Sequence, residues 1–179
     1  MTSLSPALCI DLDGTLIKED VTWAATMLLL KQAPWRIGHL MCWLLRGRGR
    51  LKERLGQHVL LDPAQLTYHP ELIAFIREER QRGRYIVLAT AADQRVALAI
   101  ADHLGVFDEV LASDGIINLR AKRKAQALCQ RFGEGQFTYA GNSKDDLKVW
   151  AHAASVIIVN ATPCVARGAK RLNKPTIVF

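Results

Sequence analysis

The chain lacks any stretch of ~18 uncharged apolar residues, so no single segment is long enough to span a bilayer by itself. Cysteine is scarce: Cys9, Cys42, Cys129 and Cys164 are the only four, and none stands in a C-x-x-C pair. That excludes a spaced zinc site and favours buried thiols in a reducing compartment over a disulfide framework. The sequence has no G-x-G-x-x-G, no Walker lysine loop and no H-E-x-x-H. His39, His58, His69, His103 and His152 are scattered and read as ordinary surface or core side chains. There is no internal repeat and no low-complexity segment. M-T-S-L-S-P runs straight into an apolar strand, from which no signal peptide is expected.

What is present suits one domain with a small insertion. The chain has 179 residues, half of them apolar and 23% charged. The formal net charge is +7, and the positive charge is clumped. Lys31, Arg36, Arg46, Arg48, Arg50, Lys52 and Arg54 stand between residues 31 and 58 against only Glu53. Arg120, Lys122, Arg123 and Lys124 form a second clump. Such clusters favour anionic partners such as phosphate esters or anionic lipid; the alternative is a solvated basic face. The positives are not interleaved with aromatics on a recognised module, which argues against nucleic acid.

The periodicity predicts an α/β fold. Ala7 to Ile10 read as a buried strand, and Asp20 as the cap of an apolar helix. Pro34 suits the first turn of a second helix, and residues 50–61 a third. Residues 20–68 are therefore expected to form a helical insertion, with 1–19 and 69–179 as the core. Beyond it, helices are expected over 70–82, 93–104, 122–132, 144–153 and 163–172. Strands are expected at R-Y-I-V-L-A-T, D-E-V-L-A-S, Q-F-T-Y-A-G, S-V-I-I-V-N and T-I-V-F, with G-I-I-N-L as a hairpin arm. This alternation implies a Rossmann-like, mostly parallel sheet with helices on both faces.

In such a sheet, ligands bind at the carboxyl ends of the strands. Asp11 and Asp13 stand at the end of the first strand, and Gly14 follows as a turn. Two carboxylates there are costly unless something positive lies between them, and Mg²⁺ takes hard oxygen ligands. Thr90 ends the second strand, Lys122 or Lys124 starts a helix, and Asn142, Ser143, Asp145 and Asp146 follow Q-F-T-Y-A-G. An acidic nucleophile, a hydroxyl, a lysine and an acidic turn make a kit for phosphoryl transfer.

D-L-D-G-T, the strand ending in Thr90, Lys124 in K-A-Q-A-L and G-N-S-K-D-D together resemble the four-motif signature of the haloacid dehalogenase (HAD) superfamily. The insertion after the first motif resembles the C1 cap position of phosphoserine-phosphatase-like members. The Trp-rich insertion, L-A-T-A-A-D-Q-R-V-A and Y-A-G-N-S-K-D-D-L-K-V-W resemble the HAD domain that precedes UbiA-type prenyltransferases.

The resemblance implies a Mg²⁺-dependent phosphomonoester hydrolase. Asp11 would be the nucleophile that forms an aspartyl-phosphate, and Asp13 the general acid and base. Thr90 would bond a phosphoryl oxygen, and Lys124 would neutralise charge, its spacing before A-x-A-L favouring it over Lys122. Asp11, Asp13 through its backbone carbonyl, Asn142 and Asp146 match the metal-binding positions. Asn142 stands where many relatives have Asp, an oxygen ligand without charge. Asp145 reads as a helix-start charge. The implied substrate is a prenyl, sugar or lipid-linked phosphate.

The competing reading is a weakly active or non-catalytic domain that binds a membrane prenyltransferase. Trp23, Trp35, Trp43 and the basic residues suit a membrane interface as well as a small core. A cytoplasmic location, peripheral at the membrane, is expected. So is the absence of an attached transferase domain, because the sequence ends at the expected strand T-I-V-F.

Overall fold

Four apolar residues, Ala7–Ile10, form strand β1, buried on both faces as the centre of a parallel sheet requires. The computed structural model describes residues 5–47, 51, 54–55, 58, 61–114 and 118–179. Helices α1 (Val21–Gln32) and α2 (Ile37–Leu45) follow β1, joined by a 3₁₀ turn at Pro34–Arg36. A second 3₁₀ turn at Pro63–Gln65 leads into α3 (Pro70–Gln81). Then come β2 (Ile86–Asp93), α4 (Gln94–Leu104), β3 (Glu109–Ser113), α5 (Lys122–Phe132) and β4 (Phe137–Gly141). The chain ends with α6 (Leu147–Trp150), β5 (Ser155–Ile158), α7 (Pro163–Lys170) and β6 (Thr176–Val178).

The strands lie in the order β3-β2-β1-β4-β5-β6, and each neighbouring pair is parallel. The chain moves outward from β1 in one direction through β2 and β3, then returns to the other side of β1 as β4. The crevice between the ends of β1 and β4 is the place where such sheets bind ligands.

Alternation along the strands builds two cores. Leu8, Ile10, Ile86 and Leu88 face α3 and α4, with Leu72, Ile76, Ala97 and Ile100 packed on them. Cys9, Val87, Phe137 and Tyr139 face the other way, against Ala125, Leu128, Val149, Trp150 and Val165. Each fully buried Leu, Ile, Val or Phe contributes about 1.5–3 kcal/mol relative to an exposed one. At the amino ends of the strands, Arg84 clamps the sheet. It donates to Glu79 Oε2 (2.6 Å), to the carbonyl of Pro6 (2.7 Å) and to the hydroxyl of Thr138.

Four local expectations need correction. The helix expected over 144–153 is only Leu147–Trp150, because hydrogen bonds from the preceding turn to Asp146 hold that stretch out of the helix. Asp145 accordingly starts no helix; it pairs with Arg120 (2.5 Å). In the expected hairpin arm, Asn118 and Leu119 are not strand, and residues 115–117 lie outside the described residues. Of the four thiols only Cys9 is fully buried, while Cys42 and Cys164 are exposed on helix surfaces that carry no layer above them. The third insertion helix is described only at Leu51, Arg54, Leu55 and His58, which are helical.

Candidate active site

Asp11 has the same strand parity as Cys9, so it faces the α5 side of the sheet. Cys9 lies in register with Tyr139 on β4. Lys124, in the first turn of α5, reaches the same point. Its Nζ donates to Asp11 Oδ1 (2.6 Å) and to the hydroxyl oxygen of Tyr139 (2.8 Å). The Tyr139 hydroxyl in turn donates to Asp146 Oδ1 (2.9 Å). The other oxygen of Asp146 accepts from the backbone N–H groups of Asn142 (3.1 Å) and Ser143 (2.8 Å) and from the Ser143 hydroxyl (2.7 Å). A continuous buried chain thus runs from Asp11 through Lys124 and Tyr139 to Asp146. Lys122, two residues away, is exposed.

Burial is the largest influence on the charged pair. It pushes the Asp11 carboxyl up to about 7 while Lys124 pulls it back. Burial would lower Lys124, but the charges of Asp11 and Asp146 outweigh it and hold the ammonium protonated. Both directions keep the proton within the pair. Burial and the same two carboxylates raise Tyr139 well above its ordinary value, so it remains a neutral donor. The pair also accounts for α5, which opens with Lys122, Arg123 and Lys124 at the end of a helix where cations are unfavourable. There Lys124 answers the Asp11 charge.

Two glycines let the loops close around this point. Gly14 has φ +71°, and a Cβ on it would stand 2.1 Å from the carboxamide nitrogen of Asn142. A Cβ on Gly141 would stand 2.7 Å from the Asp146 carboxyl carbon. Asn142 therefore leans directly on the D-x-D-G turn. Asp13 Oδ1 accepts from the backbone N–H of Val21, the first residue of α1 (2.8 Å).

A cavity of about 760 Å³ opens here. Asp11, Asp13, Lys124, Asn142 and Asp146 all line it, as do Lys18, Arg120 and Ser143. Trp23, Leu44 and Leu51 of the helical insertion form its apolar side, with Thr26 beside them. Thr90 does not reach it. The strand register shifts between Ala89 and Asp93, Thr90 is fully buried, and its hydroxyl oxygen accepts from Ala92 N–H (2.9 Å). Ala91 lines the wall instead.

Five of the six residues expected from the sequence therefore meet at one cavity, and Thr90 stands behind it. Sequence reasoning missed Tyr139, and it named Arg120 only as one of a basic clump that favours anionic partners. A tyrosine inside a fully buried strand was the available signal, since its hydroxyl needs a partner.

The oxygen donors lining the cavity are carboxylates, the carboxamides of Asn118 and Asn142 and the hydroxyls of Thr22, Thr26 and Ser143, and among the described residues that line it there is no imidazole or thiol. Among the described residues no group of three His, Cys, Asp or Glu is placed to hold a metal. A hard-oxygen set completed by Asn142 nevertheless suits Mg²⁺ rather than zinc or copper.

The family model for haloacid dehalogenase-like hydrolases matches residues 8–150. The chain belongs to that family. An uncharacterized protein of Sinorhizobium fredii, y4nM, is 39% identical over 154 residues, which is 86% of this chain and 30% of that protein. The chain thus spans less than a third of that curated relative.

Among solved structures, a protein of unknown function from Bordetella pertussis Tohama I aligns with a TM-score of 0.72 at 18% identity, covering 98% of this chain and 99% of that one. Phosphoserine phosphatase in its apo form aligns with a TM-score of 0.65 at 16% identity, covering 97% and 93%. A phospho-aspartyl intermediate analogue of phosphoserine phosphatase aligns with a TM-score of 0.64, also at 16% identity, covering 98% and 94%. At these identities the structural matches establish the HAD fold. No helix among the described residues is long and apolar enough to cross a membrane.

Proposed function

We propose that this domain hydrolyses phosphomonoesters with Mg²⁺, through an aspartyl-phosphate on Asp11. The observation that carries the reading is the Lys124 ammonium 2.6 Å from Asp11 at the floor of the cavity. Phosphoryl transfer asks mainly for charge neutralisation and in-line positioning. A buried cation beside a carboxylate nucleophile supplies the first, and Lys18 and Arg120 in the cavity wall offer cationic groups to the ester's oxygens among the aspartates that line it.

Asp11, the backbone carbonyl of Asp13 and Asn142 would hold the metal. When bound, Mg²⁺ supplies positive charge to the transferring phosphoryl group. Asp11 attacks phosphorus, and the P–O bond to the leaving alcohol breaks. Asp13 gives that oxygen a proton, then takes one from the water that cleaves the acyl phosphate. Asp146, both of whose oxygens accept hydrogen bonds, holds the turn and Tyr139 and stands beside the metal set as a further oxygen residue of the cavity. Thr90 fixes the backbone behind Ala91 at the wall. The insertion over 20–68 acts as a cap that shields the site from water, and the substrate is a small phosphorylated compound.

A phosphatase screen with p-nitrophenyl phosphate and Mg²⁺ tests this. The domain should release phosphate, and Asp11→Asn should lower the rate by at least about 10³-fold while keeping the native circular dichroism spectrum. Equal rates for the two proteins would remove Asp11 from the chemistry and end the proposal.

A further inference from the structure

The helical insertion leaves an apolar surface that its own core does not use. Among the described residues, Ala25, Leu29, Leu40 and Leu55 are buried there as a cluster. In α2 a single residue of nine, Leu40, is buried. Ile37, Met41, Leu44 and Leu45 recur at helical spacing along the outer side, 60%, 55%, 47% and 84% exposed. Trp35, just before the helix, is 75% exposed. A contiguous patch of this kind marks an interaction site.

Its charge setting identifies the occupant. Arg36 and Arg46 bracket α2, and Lys31 stands in the last turn of α1. Between residues 21 and 52 the sequence holds no Asp or Glu. A second copy docked on this face would bring like charges together with no carboxylate to answer them. An amphipathic surface with Trp, Leu, Ile and Met on one side and cations at its rim fits an anionic bilayer, the apolar side chains entering the acyl boundary and the cations meeting phosphate headgroups.

We infer that the outer face of α2, from Trp35 to Leu45 with Arg36 and Arg46, docks the domain on an anionic membrane surface. Leu44 belongs both to this face and to the wall of the active-site cavity. Docking therefore turns the mouth of the cavity toward the headgroup layer. The inference stands apart from the hydrolytic reading, because it concerns adhesion and not turnover.

Sedimentation of the chain with lipid vesicles tests it. The chain should pellet with vesicles of phosphatidylcholine and phosphatidylglycerol, stay in solution with phosphatidylcholine alone, and release as salt is raised. Met41→Glu with Leu45→Glu should lower the bound fraction at least tenfold, and Arg36→Ala with Arg46→Ala should lower the preference for anionic lipid. Neither pair lines the cavity, so hydrolysis of soluble p-nitrophenyl phosphate should match the unsubstituted chain. Vesicle binding without any hydrolysis would leave the inference standing and count only against the proposed activity. Three results would overturn it: no pelleting with anionic vesicles, equal pelleting of the Glu variant, or burial of the face in a dimer seen by analytical ultracentrifugation.

Discussion

Gly14 and Asn142 approach so closely that a single methyl on the glycine would overlap the carboxamide, at 2.1 Å from its nitrogen. The contact joins the turn after β1 to the turn after β4. Gly14 also adopts φ +71°, where an L side chain is strained. Gly14→Ala should therefore cost more than about 1 kcal/mol of unfolding free energy. It should also displace Asn142, and Mg²⁺-dependent hydrolysis should fall by more than the loss of folded protein explains. Urea unfolding and rates normalised to folded protein check both parts.

Asn142 offers an uncharged oxygen where a carboxylate would bind a divalent cation more tightly. Asn142→Asp adds one negative charge to the hard-oxygen set. The Mg²⁺ concentration for half-maximal activity should drop on the order of tenfold. Magnesium titration of the rate, with calorimetry as an independent measure of binding, tests this.

Tyr139 is the middle member of the buried chain between Lys124 and Asp146. Tyr139→Phe keeps the ring packed but removes one acceptor from Lys124 and one donor from Asp146. The variant should lose about 1–2 kcal/mol of stability. Its kcat should fall roughly tenfold, the scale on which outer partners of a reacting group act. Unchanged kcat with lowered stability would restrict Tyr139 to packing.

Glu79 lies at the opposite end of the sheet, 2.6 Å from both Arg82 and Arg84. Burial alone would raise its carboxyl, but the two guanidinium groups outweigh burial and hold it below its ordinary value of 4.5. A carboxyl lowered in the folded state contributes stability above its unfolded value, and that contribution is lost as pH falls through the lower folded value. Glu79→Gln should cost about 2 kcal/mol near neutral pH. The gap between the two proteins should close in acid below pH 4.5. Chemical denaturation across that range measures it.

The order of strands and helices was legible because each buried strand is a short aliphatic run and each crossover is helix-length. Asp11, Asp13, Lys124, Asn142 and Asp146 could be found by asking which polar residues end those runs. That question passes over Tyr139, which sits two residues inside β4 and reaches the cluster only because its ring is long. It also misplaces Thr90, since a shifted register decides which side chain looks outward. The pairing of Arg120 with Asp145 joins two loops far apart in sequence, so no local pattern carries it. In α2 the residues are apolar nearly all round, and a helix of that composition does not say which side its neighbours will cover.

The hydrogen bond from Val21 to Asp13 gives the helical insertion a direct mechanical hold on the carboxyl proposed to transfer the proton. There is no slack segment between them: α1 begins at the very residue that makes the bond. Any tilt of that helix, whether a substrate or a surface pulls on it, swings the acid as well. In the proposed mechanism, access to the chamber and readiness to donate a proton would then be a single coordinate, and a rigid graft that froze α1 should be felt in the chemistry before it is felt in the folding.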